Sequence, residues 1–547
     1  MNSIASNNFN NSRFLIIDSI KQSREMLKNF ANGLGCARVD TASRNFEVVN
    51  KCAEINYDVL LLGYDLGEGR ENGQQILEEL RERSLIGRHC IVIMITGEIT
   101  QAMVLAALEH KPSEYVTKPY TLSDLLTRLE RCYKKVTAMR SIYHALDQQD
   151  LTQVIKLCDQ ALDKGTAYTT ECLGIMSRQY FELNQFDLAK EIYQSTVGLP
   201  NCQWASVGLG KIALKENQPE QAIRIFENLL AAHPKYMMAY DYLAQAYLET
   251  GDNRKAEKVL QNAINLSPRS FKRVKSYAEL CYENESYGDA TSAFFKTQKL
   301  SKNSIHRSPD NAFGLAKSFI EYSPELPDHK IRRLKSEVSG VLSEAAREFS
   351  SQEVKIQTGL LTARLHFLVR EVIDAMNALT RAERLLDANV DDLSHQGLEE
   401  IADSLIKLDR TAKAKDILYV LEQSKQEELA LHHELNDESS EYTLTELQEA
   451  QQATDIAISH YRESNYELAI ERLNEALELY PNHIGLKLNL LQVLLVSYEN
   501  DRSNKTEHFI IAGKIIKRLE EITINGKSTQ RFAKLKHRYQ KLKRLNG

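Results

Sequence analysis

Ala222, Ala256 and Ala290 stand 34 residues apart, and this spacing constrains the fold of most of the chain. Phe226, Leu260 and Phe294 follow those alanines by four residues each, and Pro234 and Pro268 recur at the same interval. An apolar pair at i and i+4 marks one face of a helix. Small residues let two helices approach closely, and a proline stops the second helix because it lacks the amide the next turn needs. A period of 34 residues is therefore two helices and a turn. One such unit cannot bury its apolar face alone, so neighbouring units must stack.

A full unit reads Leu243, Ala244, Tyr247, Gly251, Ala256, Leu260, Ala263, Pro268, which resembles the tetratricopeptide repeat. Weaker copies flank it: Tyr180, Phe186, Ala189, Tyr193, Pro200; Ala363, Ala375, Leu379, Ala382; and Ala402, Ala414, Leu418. A clear copy returns as Tyr466, Ala469, Leu473, Ala476, Pro481, whereas residues 300–350 fit poorly. The resemblance implies eight or nine units winding into an all-α superhelix with a concave binding face. Position in the first helix of each unit places Trp204, Val207, Lys211 and Lys215, then Met238, Asp241, Gln245 and Glu249, then Lys272, Lys275 and Glu279 in that groove. Trp204 is either a partner-binding anchor or packing between units. The mixed charge lacks the lysine–asparagine set with which some members clamp a peptide carboxylate, so the expected ligand is a peptide or protein of another kind.

Before residue 137 the pattern changes. Arg13 to Ile17, Asp58 to Leu62, Cys90 to Ile95 and Glu114 to Thr117 are short apolar runs, with helical stretches at 22–30, 74–83 and 100–110 between them. Continuous apolar runs suit parallel strands buried on both faces, and their alternation with helices implies a doubly wound α/β sheet. Such sheets carry their site at the carboxyl ends of the strands. Asp18, Gly63, Thr96 and Lys118 all fall there.

These residues resemble the receiver domain of bacterial response regulators over 13–136. The resemblance rests on Arg13-Phe14-Leu15-Ile16-Ile17-Asp18, on Tyr57-Asp58-Val59-Leu60-Leu61-Leu62, on Met94-Ile95-Thr96-Gly97 and on Tyr115-Val116-Thr117-Lys118-Pro119-Tyr120. It implies a flavodoxin-like, five-stranded parallel sheet. Receivers place an acidic pair after the first strand, and here Ser19 replaces the second acid. They place the phosphate-accepting aspartate after the third strand, where this chain has Gly63. The accepting carboxylate is a nucleophile, and with the acidic pair it holds Mg²⁺, a cation that wants oxygen ligands. Thr96 and Lys118, the expected phosphoryl readers, are kept, as is the aromatic Tyr115. Asp18 alone remains as a metal ligand, for weak or absent Mg²⁺ binding. Asp65, two residues after Gly63, could substitute as acceptor, but two extended residues displace it by roughly 6–7 Å.

The expected organisation is a disordered tail at 1–12, a pseudo-receiver at 13–136, a repeat array at 137–425, an acidic linker at 426–449, and repeats with basic capping helices at 450–547. A net charge of −6 gives no whole-chain case for nucleic acid or anionic lipid. The 8 cysteines lack close CxxC spacing and read as free thiols in a reducing cytoplasm. No apolar run is long enough to span a bilayer, and the basic 527–544 stretch reads as a capping helix. No nucleophile–base pair or metal cluster stands out, so the chain reads as a non-enzyme. Auxiliary phosphorelay proteins that join a receiver to tetratricopeptide repeats share this layout. That resemblance implies binding to a sensor histidine kinase and/or a partner response regulator that degrades cyclic di-GMP, restraining phosphotransfer. Two alternatives stand beside it: a true phosphoacceptor using Asp65, and a repeat scaffold outside phosphorelays.

Overall fold

The computed structural model describes residues 7–67, 70–97, 112–433, 444–481, 483–501, 505–520 and 527–545. The chain forms two compact units, Met1–Tyr322 and Ser323–Gly547.

The first unit begins with β1 (Arg13–Ile17), α1 (Lys21–Gly33), β2 (Arg38–Ala42), α2 (Asn45–Glu54), β3 (Val59–Gly63), α3 (Gly73–Glu82), β4 (Ile91–Thr96) and β5 (Glu114–Thr117). The five strands are parallel in the order β2-β1-β3-β4-β5, as the flavodoxin-like reading expects. The helix expected at 100–110 lies outside the described residues. Every residue of β3 and β4 is buried, because helices cover both faces of the sheet. Successive side chains alternate between those faces. Leu15, Ile17, Leu60 and Leu62 join one apolar cluster, and Phe14, Ile16, Val59 and Leu61 join the other. Each such side chain contributes about 1.5–3 kcal/mol on burial. Phe9 also sits fully in the core, edge-on to Phe14 and Tyr133. The tail expected over 1–12 is therefore packed from at least Phe9 onward.

The next helix, α4 (Leu122–Asp147), starts at a capping box formed by Thr121 and Asp124. It runs unbroken through position 136, where the sequence reading placed the domain boundary, and so belongs to both the sheet domain and the array. Helical hairpins follow: α5 (Leu151–Asp163), α6 (Thr169–Glu182), α7 (Phe186–Thr196), α8 (Gln203–Lys215), α9 (Pro219–Ala232), α10 (Met237–Glu249), α11 (Asn253–Leu266), α12 (Phe271–Glu283), α13 (Tyr287–Ser301) and α14 (Pro309–Tyr322). Ala222, Ala256 and Ala290 are wholly buried, as the repeat requires. The turn inside each hairpin places Asn217, Gly251 and Glu285 at positive φ. Their spacing is again the repeat length, and only Gly251 adopts that conformation without a Cβ penalty. Glycine also lets helices touch: a Cβ on Gly208 would lie 2.2 Å from the Tyr193 ring.

The second unit contains α15 (Asp328–Glu348), α16 (Gln352–Leu368), α17 (Val372–Asn389), α18 (His395–Ile406), α19 (Thr411–His433), α20 (Leu444–Arg462), α21 (Tyr466–Leu479), α22 (Ile484–Asn500), α23 (Thr506–Glu520) and α24 (Lys527–Leu545). Residues 300–350, poor in repeat signal, hold the long helix α15. The acidic stretch 426–449 is helical up to His433 and again from Leu444. In α24, Leu535 and Leu542 are buried, while Arg538 pairs with Glu499 and Lys536 with Glu520. Arg531 is itself buried and donates to Asn489 and Gln492. Part of the basic face is thus spent on the unit's own packing. Among the described residues no helix is long and apolar enough to cross a membrane.

Candidate functional site

The carboxyl ends of β1, β3, β4 and β5 bring Asp18, Gly63, Thr96 and Lys118 to one crevice, as the doubly wound topology demands. Gly63 is the last residue of β3 and pairs with Ile95. A Cβ built on Gly63 would lie 3.6 Å from the Asp18 carboxyl carbon. The missing side chain is therefore the one that would meet Asp18, and the strand register read from the sequence holds. Its φ does not demand glycine, but an added Cβ would also come within 3.1 Å of the Ile17 main-chain oxygen.

Asp18 is buried at the β1 end and fully engaged. Its Oδ1 accepts from the Ile20 N–H at 2.8 Å, and its Oδ2 accepts from the Ser23 hydroxyl at 2.7 Å. The Lys118 ammonium lies 3.3 Å from Oδ2. Arg24, one residue further along α1, donates to the main-chain oxygens of Asp18 and Ser19 and ties the loop down. The Ser19 hydroxyl points at the Asp65 main-chain oxygen, 3.4 Å away. Thr96 is buried, and its carbonyl accepts from the Lys118 N–H at 2.7 Å. Tyr115 is half-buried against the Tyr64 and Met94 side of the core, where burial pushes its phenol pKa up. Pro119 follows Lys118 through a cis peptide bond.

Asp65 is exposed, and its carboxylate accepts from the Gly67 N–H at 2.9 Å, closing a turn of its own loop. Among the described residues its carboxylate makes no hydrogen bond to Asp18 or Lys118.

Mg²⁺ requires near-octahedral oxygen ligation at about 2.0–2.1 Å. Among the described residues at the strand ends, Asp18 is the buried carboxylate, and both of its oxygens already accept protein donors; Asp65, exposed, lines the neighbouring cavity with Thr96. Gly63 adds no ligand atom. The described residues do not fit the ion.

In the array, several of the groove candidates take other roles. Trp204 packs between repeats: its indole is where a Cβ on Gly174 would come within 3.1 Å, and it meets Tyr193 edge-on at 6.0 Å. Trp204 thus makes the packing contacts of one reading while staying half-buried. The Lys211 ammonium stands 4.2 Å from the Phe181 ring centroid and 5.7 Å from that of Tyr242, and burial lowers its pKa. Asp241 holds Arg273 through two hydrogen bonds of 2.7 and 2.8 Å. Gln245 donates to Glu249, and Lys275 pairs with Glu279. Lys215 is exposed.

Sequence reasoning missed Ser23 and Arg24, which carry a faint signal as polar residues in the first turns of α1. It also missed a grouping of His366, Glu371 and Asp374, whose ligand atoms lie within 4.8 Å of one another. The Lys335 ammonium sits 2.6 Å from Glu371 there, so the group is at least partly an ion-pair network.

Both parts of the chain are similar to known proteins. Residues 14–130 match the response regulator receiver domain, and residues 200–281 match the tetratricopeptide repeat. Chemotaxis protein CheY1 of Helicobacter pylori is 30% identical over 118 residues, which is 22% of this chain and 94% of that protein. Chemotaxis protein CheY-3 of Vibrio cholerae is 22% identical over 126 residues, 23% of this chain and 95% of that protein. The BeF3-activated receiver domain of DrrB, from Thermotoga maritima, is 24% identical, covering 23% of this chain and 98% of that one with a TM-score of 0.20. Through its N-terminal domain the chain belongs to the response-regulator receiver family, and that domain is followed by tetratricopeptide repeats.

Proposed function

We propose that this protein is a non-catalytic component of a bacterial two-component phosphorelay. It binds a sensor histidine kinase and/or the partner response regulator, and it restrains phosphotransfer between them. One observation carries the reading: the position that should hold the nucleophile is Gly63, while Asp18 is held by hydrogen bonds from Ser23 and Ile20 and by an ion pair with Lys118. A receiver arranged this way keeps its fold and partner-facing surface without taking a phosphoryl group. The repeats supply a second contact, and two linked weak contacts raise avidity without new chemistry. The domain order, with the segments LLLGYDLG, GQQILEEL and KPYTLSDLL, resembles VieB, an auxiliary protein of a phosphorelay whose partner regulator degrades cyclic di-GMP.

The test is incubation with acetyl phosphate or a labelled cognate kinase, followed by intact-mass measurement. The expected result is no added phosphate. Stoichiometric acid-labile phosphate that disappears in Asp65→Asn would instead establish the phosphoacceptor alternative. Failure of the chain to retain any sensor kinase or response regulator in a pull-down would favour a scaffold outside phosphorelays.

A further inference from the structure

Within the first unit, the loop before α12 and the loop between α13 and α14 meet the β3–α3 edge of the receiver. Arg269 donates to the Tyr64 hydroxyl at 2.6 Å, with its guanidinium 5.8 Å from the Tyr64 ring centroid. His306 Nε2 lies 2.8 Å from the Glu78 carboxylate, and both side chains are only 13% exposed. Phe271 stacks on His306 at 4.4 Å and 6°, holding the imidazole in place. Gln75 donates to the main-chain oxygens of Leu300 and Lys302 at 3.4 Å each, and Lys272 pairs with Glu82 at 3.2 Å.

This contact differs in kind from the rest of the fold. The two apolar clusters of the receiver are built wholly from residues 9–136, so neither extends across it. Its bonds are polar, and the Lys272–Glu82 pair is well exposed, at 69% and 53%. Such pairs contribute little and weaken with salt. Between the surfaces lies a cavity of about 720 Å³ lined by Tyr64, Thr96, Gly97, Arg269, Phe271 and His306. The remnant site at Thr96 opens into it. A polar contact around an open cavity resembles a transient interface, for which relative motion is the default expectation.

We infer that this contact is a reversible latch. Closed, it lays the Arg269–His306 corner of the array over the β3–α3 edge, beside the mouth of the remnant site. Open, it frees Tyr64, α3 and that mouth for a partner. The latch supplies a two-state element whether or not the crevice takes a phosphoryl group. It does not depend on which partner the chain binds, and so stands apart from the proposed function.

The test is zero-length carbodiimide crosslinking of the full-length chain, read by mass spectrometry. The Lys190–Glu216 pair, 3.6 Å apart within the array, serves as internal standard. The expected result is a Lys272–Glu82 crosslink at low salt. Arg269→Ala and His306→Ala should each reduce it relative to the standard, and together reduce it several-fold. Glu78→Gln, which keeps the shape of the side chain, should reduce it in the same direction. Absence of the crosslink in the native chain overturns the closed state. A crosslink undiminished in all of these variants overturns the latch in favour of a rigid joint.

Discussion

Replacing Asp18 with Asn separates two accounts of the receiver crevice. If Asp18 is an internal structural anchor, its loss destabilises the domain and Mg²⁺ is irrelevant. If it is a metal ligand, Mg²⁺ stabilises the native chain and the substitution removes that gain. The Asp18 side chain is 3% exposed and accepts from Ile20 N–H and the Ser23 hydroxyl, while Lys118 is 37% exposed. A hydrogen bond to a charged group contributes about 1.5–3 kcal/mol net. Asn keeps one acceptor oxygen, so about 2 kcal/mol is the expected loss, whereas Asp18→Ala strands both donors and costs about 3–4 kcal/mol. Lys118 returns to water in either variant and adds less than about 1 kcal/mol. A metal site with a Kd of about 1 mM would stabilise the native chain by about 1.4 kcal/mol at about 10 mM Mg²⁺. Urea unfolding, followed through hydrogen exchange of the β1 and β3 amides with and without Mg²⁺, measures both quantities. Native stability should not change with Mg²⁺. A gain above about 1 kcal/mol that vanishes in Asp18→Asn would refute the anchoring argument.

Two further outcomes follow from packing. His483 is buried, caps α22 by accepting from the Leu486 N–H at 3.4 Å, and has its pKa lowered to about 4, by burial first and Lys487 second. A base with a depressed folded pKa favours the unfolded state once protonated. Its contribution is therefore full above the unfolded value of 6.5 and lost as pH falls from there toward about 4. The second unit should lose about 3 kcal/mol over that window, and His483→Asn should flatten the loss in denaturant titrations at stepped pH. In the array, a Cβ on Gly210 would sit 2.3 Å from the Phe226 ring. Gly210→Ala should therefore cost about 1–3 kcal/mol by overpacking, measured as a lower urea midpoint.

The sheet and the repeats were legible because their periodicities are local. Continuous apolar strands and a 34-residue alanine–aromatic period each admit few folds, and Gly63 could be placed by counting along one strand. Groove residues were less legible. Helical position says which side of α8 Trp204 occupies, but not that Gly174 on α6 leaves a slot for the indole. Likewise, Lys211 looked available to a ligand until Phe181 and Tyr242 closed on it from neighbouring repeats.

By itself the sequence determined the two fold classes and the glycine at the position where receivers carry the phosphate-accepting aspartate, since both depend on residue type at countable positions. Only the tertiary structure decided what became of the groups left behind. Asp18 found Ser23 and Lys118, partners 5 and 100 residues away, and Tyr64 met Arg269 across 205 residues. Pairings over such distances are chosen by how helices pack and loops close, which no local pattern encodes.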